Sequence, residues 1–285
     1  MKSFEFAGAN RKFFCAALLL LASAAAQAAG IAFVTNLKGE PKIDGAKLTL
    51  LSELDRGQRI VCASECMLGV MYLQSGKEYE VKGPGEYLIG DNAVTAKIGV
   101  PPAVRETSWR ISINAVKSAQ TSSASIRMRG IPNSPQRAAP EKLTYPVKTM
   151  IATLTPLFQW EAADGKGLYE FELTAPGGKS IYKTRTMTNS MKLPANVKLQ
   201  PDAEYAWSVS TSGSQLGSGN FGTLPAQSVE MASQRKPADN AQFNDWVAYA
   251  LMLQEIGATQ DAHVIWSRLA KERPDLPELA EYSRS

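Results

Sequence analysis

Histidine and cysteine, on which much protein chemistry depends, are scarce in this 285-residue sequence, which contains one histidine, His263, and three cysteines. Catalytic sets with a histidine base, such as Ser/His/Asp or Cys/His, would have to use His263, and no partner cluster is visible around it. Phosphate-binding loops and dinucleotide-binding glycine fingerprints are also missing from the sequence. We therefore expect a non-enzymatic protein without cofactor or metal, in which His263 is a packed or exposed helix residue.

Long apolar runs are absent except at the start of the chain, where Phe13–Ala24 follows the basic pair Arg11–Lys12. The small-x-small sequence Ala26–Ala28 comes next, and this order is typical of a secretory signal peptide. We expect residues 1–28 to be removed together with Cys15, and no membrane span to remain, because no other stretch is apolar enough. The expected location is the periplasm.

Neither sign of charge is in large excess. The formal net charge is +4, and removal of three basic residues and one acidic residue with the signal peptide leaves +2. A charge so close to zero argues against nucleic acid as the main partner.

Two cysteines, Cys62 and Cys66, remain in a compartment that favours oxidation. Their spacing leaves three interpretations open. A metal site would need more ligands, and a redox pair usually has the spacing Cys-x-x-Cys at a helix start. A disulfide needs a turn, because four residues of straight strand span about 13 Å, beyond the disulfide Cα separation of about 4.4–6.8 Å.

Glycine and proline turns divide residues 29–117 into short apolar segments, which predicts a small antiparallel β domain. Three motifs resemble the FecR-like domain: Leu54-Asp-Arg-Gly-Gln-Arg-Ile, Ser75-Gly-Lys, and Val81-Lys-Gly-Pro-Gly-Glu-Tyr-Leu-Ile. The resemblance covers about residues 33–89. It implies a periplasmic sensing or signalling context, although FecR-like regulators of sigma factors typically retain a membrane anchor and a cytoplasmic segment.

The same resemblance places a hairpin turn at Ala63-Ser-Glu, with Cys62 and Cys66 facing each other across it. It therefore implies a Cys62–Cys66 disulfide; the alternative is two free, half-buried thiols. Glu78 and Glu80 follow on a strand whose charges alternate, a pattern typical of a solvated surface rather than of a catalytic acid pair.

The region between the first block and the next is less regular. Residues 94–120 allow either a helix or a strand. Pro102 in a first turn favours a helix, with Trp109 and Ile113 packed on the β domain, whereas the β-branched Ile111, Ile113 and Val116 favour a strand. Residues 118–142 are rich in Ser, Ala, Gln, Pro and Arg, and are expected to be a linker in which the segment that starts at Ser125 could add a strand.

Residues 143–225 show clear period-2 alternation, as in Leu168-Tyr-Glu-Phe-Glu-Leu. This block resembles a fibronectin type III or immunoglobulin-like β-sandwich. The resemblance is carried by Trp160 on an early strand and by the Leu199-x-Pro…Tyr205 corner, whose tyrosine hydroxyl would bond back to the backbone.

Aromatic residues are concentrated in this block. Alternation directs Trp160, Tyr205 and Trp207 into the core, because an inner face needs bulky side chains. In the alternative, these rings and Tyr169 line a cleft beside two acids, and the protein binds or processes an envelope glycan.

Residues 238–285 are predicted to form two helices, one capped by Asp239 and running to Ile256, the other capped by Thr259 and running to Arg273. The pattern of Trp246, Ala250, Gly257, Ala262 and Trp266 resembles one tetratricopeptide repeat, with both tryptophans in its core.

A lone helical hairpin cannot bury its apolar face, so the C-terminal hairpin should dock on its own chain, on a second copy or on a partner. The sequence therefore predicts a mainly β, multi-domain chain with a C-terminal α-hairpin. We expect a periplasmic binding or regulatory module whose partner is an envelope protein or a cell-wall polymer, with self-association through the hairpin as a further option.

Overall fold

The computed structural model describes residues 30–128, 143–161, 167–211 and 214–284. The expected signal peptide, 1–28, and the second part of the expected linker, 129–142, lie outside these ranges. The fold-class prediction is confirmed at the level of four largely antiparallel sheets with helices towards the C-terminus. None of the described helices is long and apolar enough to cross a membrane.

The N-terminal module, residues 30–105, consists of two five-stranded antiparallel sheets. In space, sheet I has the order β10-β7-β6-β1-β4 and sheet II the order β3-β2-β5-β8-β9, where the strands are β1 (Ala32–Lys38), β2 (Lys42–Ile43), β3 (Ala46–Lys47), β4 (Glu53–Leu54), β5 (Arg59–Cys62), β6 (Met67–Tyr72), β7 (Glu78–Lys82), β8 (Gly85–Ile89), β9 (Val94–Ile98) and β10 (Ala103–Arg105).

The second module, called the sandwich below, begins at residue 143. Sheet III has the order β11-β13-β16 and sheet IV the order β12-β18-β17-β14-β15, from the strands β11 (Leu143–Tyr145), β12 (Met150–Ile151), β13 (Leu157–Trp160), β14 (Tyr169–Thr174), β15 (Ser180–Thr186), β16 (Ser190–Lys192), β17 (Glu204–Thr211) and β18 (Ser214–Thr223).

Five helices complete the described structure: α1 (Ile113–Met128), α2 (Ala226–Arg235), α3 (Phe243–Glu255), α4 (Thr259–Glu272) and α5 (Glu278–Tyr282). The helical hairpin, α3 and α4, begins later than expected. Gln242, not Asp239, precedes α3, and Thr259 is the first helical residue of α4 rather than its cap. Gly257 takes a φ of 89°, the left-handed conformation that ends a helix and that glycine adopts without strain.

Sheet I lies between sheet II and the helices, so its central strand is covered on both faces. Strand β5 of sheet II shows the simple alternation of a half-exposed strand, with Ile60 and Cys62 buried and Arg59 and Val61 exposed. By contrast, every residue of β6 after Met67 is buried. A continuous apolar run is the expected sequence of a strand that packs on two sides.

The turn at 63–65 is not the predicted hairpin. Strand β5 pairs with β2 and β8 in sheet II, and β6 pairs with β1 and β7 in sheet I, so the turn carries the chain from one sheet to the other. Cys62 and Cys66 form a disulfide across this corner, with their Cα atoms 5.5 Å apart. Cys62 is the last residue of β5 and Cys66 directly precedes β6, so the disulfide links the two sheets at one end.

Residues 94–128 differ from the expectation in three ways. Residues 94–98 and 103–105 are strands, and Pro102 precedes β10 rather than opening a helix. Trp109 is buried but lies before α1. The helix continues to Met128, so residues 118–128 are helical rather than a linker, and 125–128 add no strand. Small side chains at Ala115 and Ala119 let α1 pack closely, and both are buried.

The sandwich has a hydrophobic core of its own. Its buried side chains come from both of its sheets and form a cluster separate from the rest of the molecule. Phe158 lies at the centre, with ring centroids 4.9 Å from Phe171, 5.1 Å from Trp207 and 5.7 Å from Phe221. Edge-to-face contacts of this kind add to the free energy gained by burial.

The helical hairpin docks on its own chain. Buried residues of α3, α4 and α5 belong to the same apolar cluster as the N-terminal module. The apolar face that a lone hairpin would expose is therefore covered from within the chain, and self-association is not needed to bury it.

Candidate functional site

A buried carboxylate, Glu78, is the centre of the contact between the N-terminal module and α3. It is 3% exposed and accepts hydrogen bonds from Thr35 Oγ1 at 2.5 Å and Asn244 Nδ2 at 2.7 Å. Arg105 donates to its other oxygen from Nε at 3.0 Å and from Nη2 at 2.5 Å. The expectation that Glu78 lies on a solvated surface is wrong. Strand β7 directs this side chain towards α3, and both carboxylate oxygens accept hydrogen bonds.

Arg105 extends this network to the helical hairpin. Its Nη1 lies 2.9 Å from both carboxylate oxygens of Asp245, and Trp109 Nε1 donates to Asp245 Oδ1 at 3.1 Å. One guanidinium therefore pairs with two carboxylates, one from each side of the contact. With their donors and acceptors matched, these groups fix the position of α3 and leave no free acid or base for catalysis.

Close approach of α3 depends on Gly69 in β6. A Cβ atom at this position would lie 2.7 Å from Thr35 Oγ1 and 3.2 Å from Asn244 Nδ2. A side chain here would displace the Thr35 hydroxyl and the Asn244 amide, both of which donate to Glu78.

A second polar contact joins the sandwich to the first turn of α4. Asp261 accepts a hydrogen bond from the Ala152 amide at 2.7 Å and another from the Tyr145 hydroxyl. Burial raises the pKa of the Asp261 carboxyl above its ordinary value, against the opposing effect of these two hydrogen bonds. Gln260 adds hydrogen bonds to the backbone of Val147 and Thr144, at 3.1 and 2.7 Å.

The tryptophans and tyrosines named from the sequence are all internal. Trp160, Trp207 and Tyr205 are 2%, 1% and 5% exposed, and Tyr169 is buried beside Trp160. The Tyr205 hydroxyl accepts a hydrogen bond from the Gln200 amide at 2.7 Å, which closes the corner. These rings therefore offer no stacking surface for a sugar.

The two tryptophans of the hairpin are internal as well. Trp246 is 3% exposed and Trp266 is fully buried. Arg268 lies over the Trp246 ring, and the Trp266 ring packs 5.4 Å from that of Tyr282. Both tryptophans hold the hairpin together. Among the described residues, no group of His, Cys, Asp and Glu is arranged to hold a metal ion.

An exposed apolar stretch, Ile98–Val104, connects the edge strand of sheet II to the edge strand of sheet I. It contains no polar side chain, and Ile98, Val100 and Val104 are 61%, 69% and 56% exposed. Exposed Val61 lies in the same cross-strand row as Ile98, with Glu86 between them. A run of exposed apolar side chains of this kind is a candidate interaction site.

The stretch is held in one conformation. The Tyr87 hydroxyl lies between the Lys82 and Val100 carbonyls, at 2.5 and 3.1 Å, and can donate to either. Pro101 and Pro102 restrict the backbone further. A preformed loop loses little conformational entropy when it binds a partner.

The adjoining strand edge is protected against pairing with another strand. Lys97 is the extra residue of a bulge in β9, since Glu86 pairs with Ile98 and Tyr87 with Ala96. A lysine and a bulge on an edge strand both oppose edge-to-edge association. The side chains of Ile98–Val104, rather than a free backbone edge, are therefore the feature available for recognition.

The sequence itself indicates this surface, although hydrophobic periodicity does not identify it. The run Ile98-Gly-Val-Pro-Pro-Ala-Val has no polar residue, yet its two prolines exclude a central strand and a helix interior. An apolar run that cannot enter the core of a sheet or a helix must lie at an edge or on a loop. Comparison with known proteins adds no assignment, since neither a family model nor a curated protein matches this chain.

Proposed function

We propose that this chain is a non-enzymatic protein of the bacterial cell envelope, exported to the periplasm, that acts as a binding or regulatory module. In this proposal a FecR-like N-terminal module, a fibronectin type III or immunoglobulin-like sandwich and a tetratricopeptide-like hairpin form one scaffold. The observation that carries it is the exposed, preformed apolar stretch Ile98–Val104 on the N-terminal module.

The chemistry of this stretch favours a protein partner over a cell-wall polymer. Valine, isoleucine and proline side chains gain free energy by leaving water for an apolar pocket, whereas a polysaccharide offers mostly hydroxyl groups. Three exposed aliphatic side chains can serve as anchors for a pocket on an envelope protein.

A photo-crosslinking amino acid at position 100 tests this proposal in cells that produce the full chain. We expect a discrete crosslinked protein from position 100, and no such product from position 187. Met187 is the matched control, because it is an apolar residue of the sandwich that is 76% exposed. The product should disappear when Val104→Asp is added, while the thermal unfolding midpoint stays unchanged. Equal products from both positions would contradict the proposal.

Export is tested separately. Fractionation followed by mass spectrometry of the N-terminus should find the chain in the periplasm and beginning at Ala29. A chain that stays in the cytoplasm with residues 1–28 attached would remove the envelope context, whatever the crosslinking shows.

A further inference from the structure

A second recessed surface lies at the contact between the sandwich and the helical hairpin. It is a cleft of about 520 Å³ with walls from β11, β13 and α4. Thr144 and Gln159 line it on the sandwich side, and His263, Ser267, Arg268 and Lys271 on the helix side. Clefts between domains are common positions for small-molecule sites, and this volume is in the usual range.

The charge of the cleft has one sign. Two of its described lining residues, Arg268 and Lys271, are cationic, and none carries a carboxylate. Lys271 is exposed, and within the described ranges no carboxylate lies at ion-pair distance from its ammonium group. A cleft lined by groups of one sign concentrates ligands of the opposite sign.

The Arg268 guanidinium is held in place by an aromatic ring, but two of its nitrogen atoms make no hydrogen bond. Its Cζ lies 3.6 Å from the centre of the Trp246 ring, which fixes the plane of the group. Glu272 Oε1 lies 3.3 Å from Arg268 Nε, but outside hydrogen-bonding geometry. Among the described residues, Arg268 Nε and Nη2 and His263 Nε2 have no hydrogen-bond partner. The Arg268 side chain is 36% exposed, so its charge attracts an anion in the cleft although Nε and Nη2 are themselves buried.

We propose that this cleft binds a small ligand carrying an oxyanion, either a carboxylate or a phosphate-type group. Arg268 and Lys271 pair with the oxyanion, and Ser267 and Gln159 donate hydrogen bonds to the rest of the ligand. This site shares no residue with the Ile98–Val104 surface, so it can be present whether or not the proposed function holds.

The single histidine of the chain makes the proposal directly measurable. His263 gives the only imidazole signals in the NMR spectrum of the full-length protein. Burial lowers its pKa, and an anion held nearby stabilises the imidazolium and raises the pKa again. We expect sulfate or acetate to move the ring signals saturably and shift the titration to higher pH, at an ionic strength matched with chloride.

The two probes distinguish the ligand classes. Saturation by sulfate alone assigns the cleft to phosphate-type groups, saturation by acetate alone assigns it to carboxylates, and saturation by both supports a general oxyanion site. If neither salt changes the signals more than chloride does, the proposal is wrong.

Three substitutions locate the effect. Lys271→Gln should weaken binding about three- to tenfold, because it removes an exposed charge without disturbing the core. Glu272→Gln should strengthen binding, since it removes the carboxylate closest to Arg268. Lys179→Gln, at an exposed turn of the sandwich, removes the same charge elsewhere and should have no effect. If Lys179→Gln weakens binding as much as Lys271→Gln does, the effect is general screening and the site does not exist.

Discussion

The helical hairpin makes contact with two β modules, and the two contacts differ in kind. Towards the N-terminal module, α3, α4 and α5 share one apolar core with sheet I, and the Glu78–Arg105–Asp245 network lies within that interface. Towards the sandwich, the first turn of α4 makes hydrogen bonds through Gln260 and Asp261, and Ala152 and Leu224 of the sandwich join the shared core. The sandwich keeps its own separate core.

This difference indicates which parts of the chain depend on each other for stability. A module that shares its core with the hairpin cannot lose the hairpin without exposing apolar surface, whereas a module with a closed core can. We therefore expect the N-terminal module and the helices to unfold as one unit, and the sandwich to unfold as another. Four experiments test this comparison, in order of decreasing effect.

The largest effect should follow from truncation after residue 237. Loss of α3–α5 uncovers the helix-facing side of sheet I, including Phe33 and Met71, both almost fully buried in the intact chain. We expect the N-terminal module to lose its cooperative transition in calorimetry, and limited proteolysis to leave a resistant fragment that begins near residue 143. The isolated fragment 143–225 serves as the control. A truncated chain with two intact transitions would show that the modules do not differ.

The next largest effect should come from Arg105→Gln. The substitution leaves the carboxylates of Glu78 and Asp245 buried without their shared cation, and breaking a buried pair typically costs 3–5 kcal/mol. We expect about 3 kcal/mol, at the low end, because Arg105 keeps a third of its side chain exposed.

Arg185→Gln is the matched control for this experiment. Arg185 also pairs with a glutamate on a neighbouring strand, Glu170, but its side chain is 69% exposed and the pair lies on the outer face of the sandwich. Its loss should cost less than about 1 kcal/mol. Urea unfolding followed at the transition of each module compares the two, and equal costs would contradict the structural distinction.

Sequence patterns were informative where one element decides the environment of a residue. Alternation along β13 and β17 is sufficient to direct Trp160 and Trp207 inwards, because a half-buried strand has period 2. Gly257 marks the end of α3 for a similarly local reason.

Patterns failed where the environment comes from distant residues. Glu78 lies in a strand that alternates charge, but its burial depends on distant residues. Arg105 is 27 positions from Glu78, and Asp245 is 140 positions from Arg105. The FecR-like resemblance places a hairpin turn at 63–65, between two short strands. Only the pairing partners of those strands show that they belong to different sheets. Likewise, α1 continues through serine- and alanine-rich residues to Met128, and the helices that it contacts, α3 and α5, lie far along the chain.

Reduction of the Cys62–Cys66 disulfide should have a smaller effect, confined to the N-terminal module. The closed loop contains few residues, so the loss of chain entropy on reduction corresponds to about 2 kcal/mol. We expect the transition of the N-terminal module to move to lower temperature in the presence of a reductant, and that of the sandwich to stay in place. The Cys62→Ser/Cys66→Ser variant should reproduce the shift without reductant. A shift of both transitions would mean that the modules are coupled more strongly than their cores indicate.

The smallest effect should be a pH dependence of the contact between the sandwich and the hairpin. Burial raises the pKa of the Asp261 carboxyl in the folded state. A group whose folded-state pKa is raised stabilises the fold below its ordinary pKa of 3.8, and this contribution is lost as the pH rises through the folded-state pKa. The contact should therefore become stronger as the pH falls from neutral towards the ordinary carboxyl range.

Asp261→Asn should remove this dependence, because an amide does not titrate there and its oxygen can still accept from the Ala152 amide. The free energy of unfolding of wild type minus that of the variant, measured from pH 7 to pH 4, isolates Asp261 from the other carboxylates. A difference that falls on acidification would mean that the two hydrogen bonds to Asp261 outweigh its burial, and the polar contact would then be stronger at neutral pH than the structure indicates.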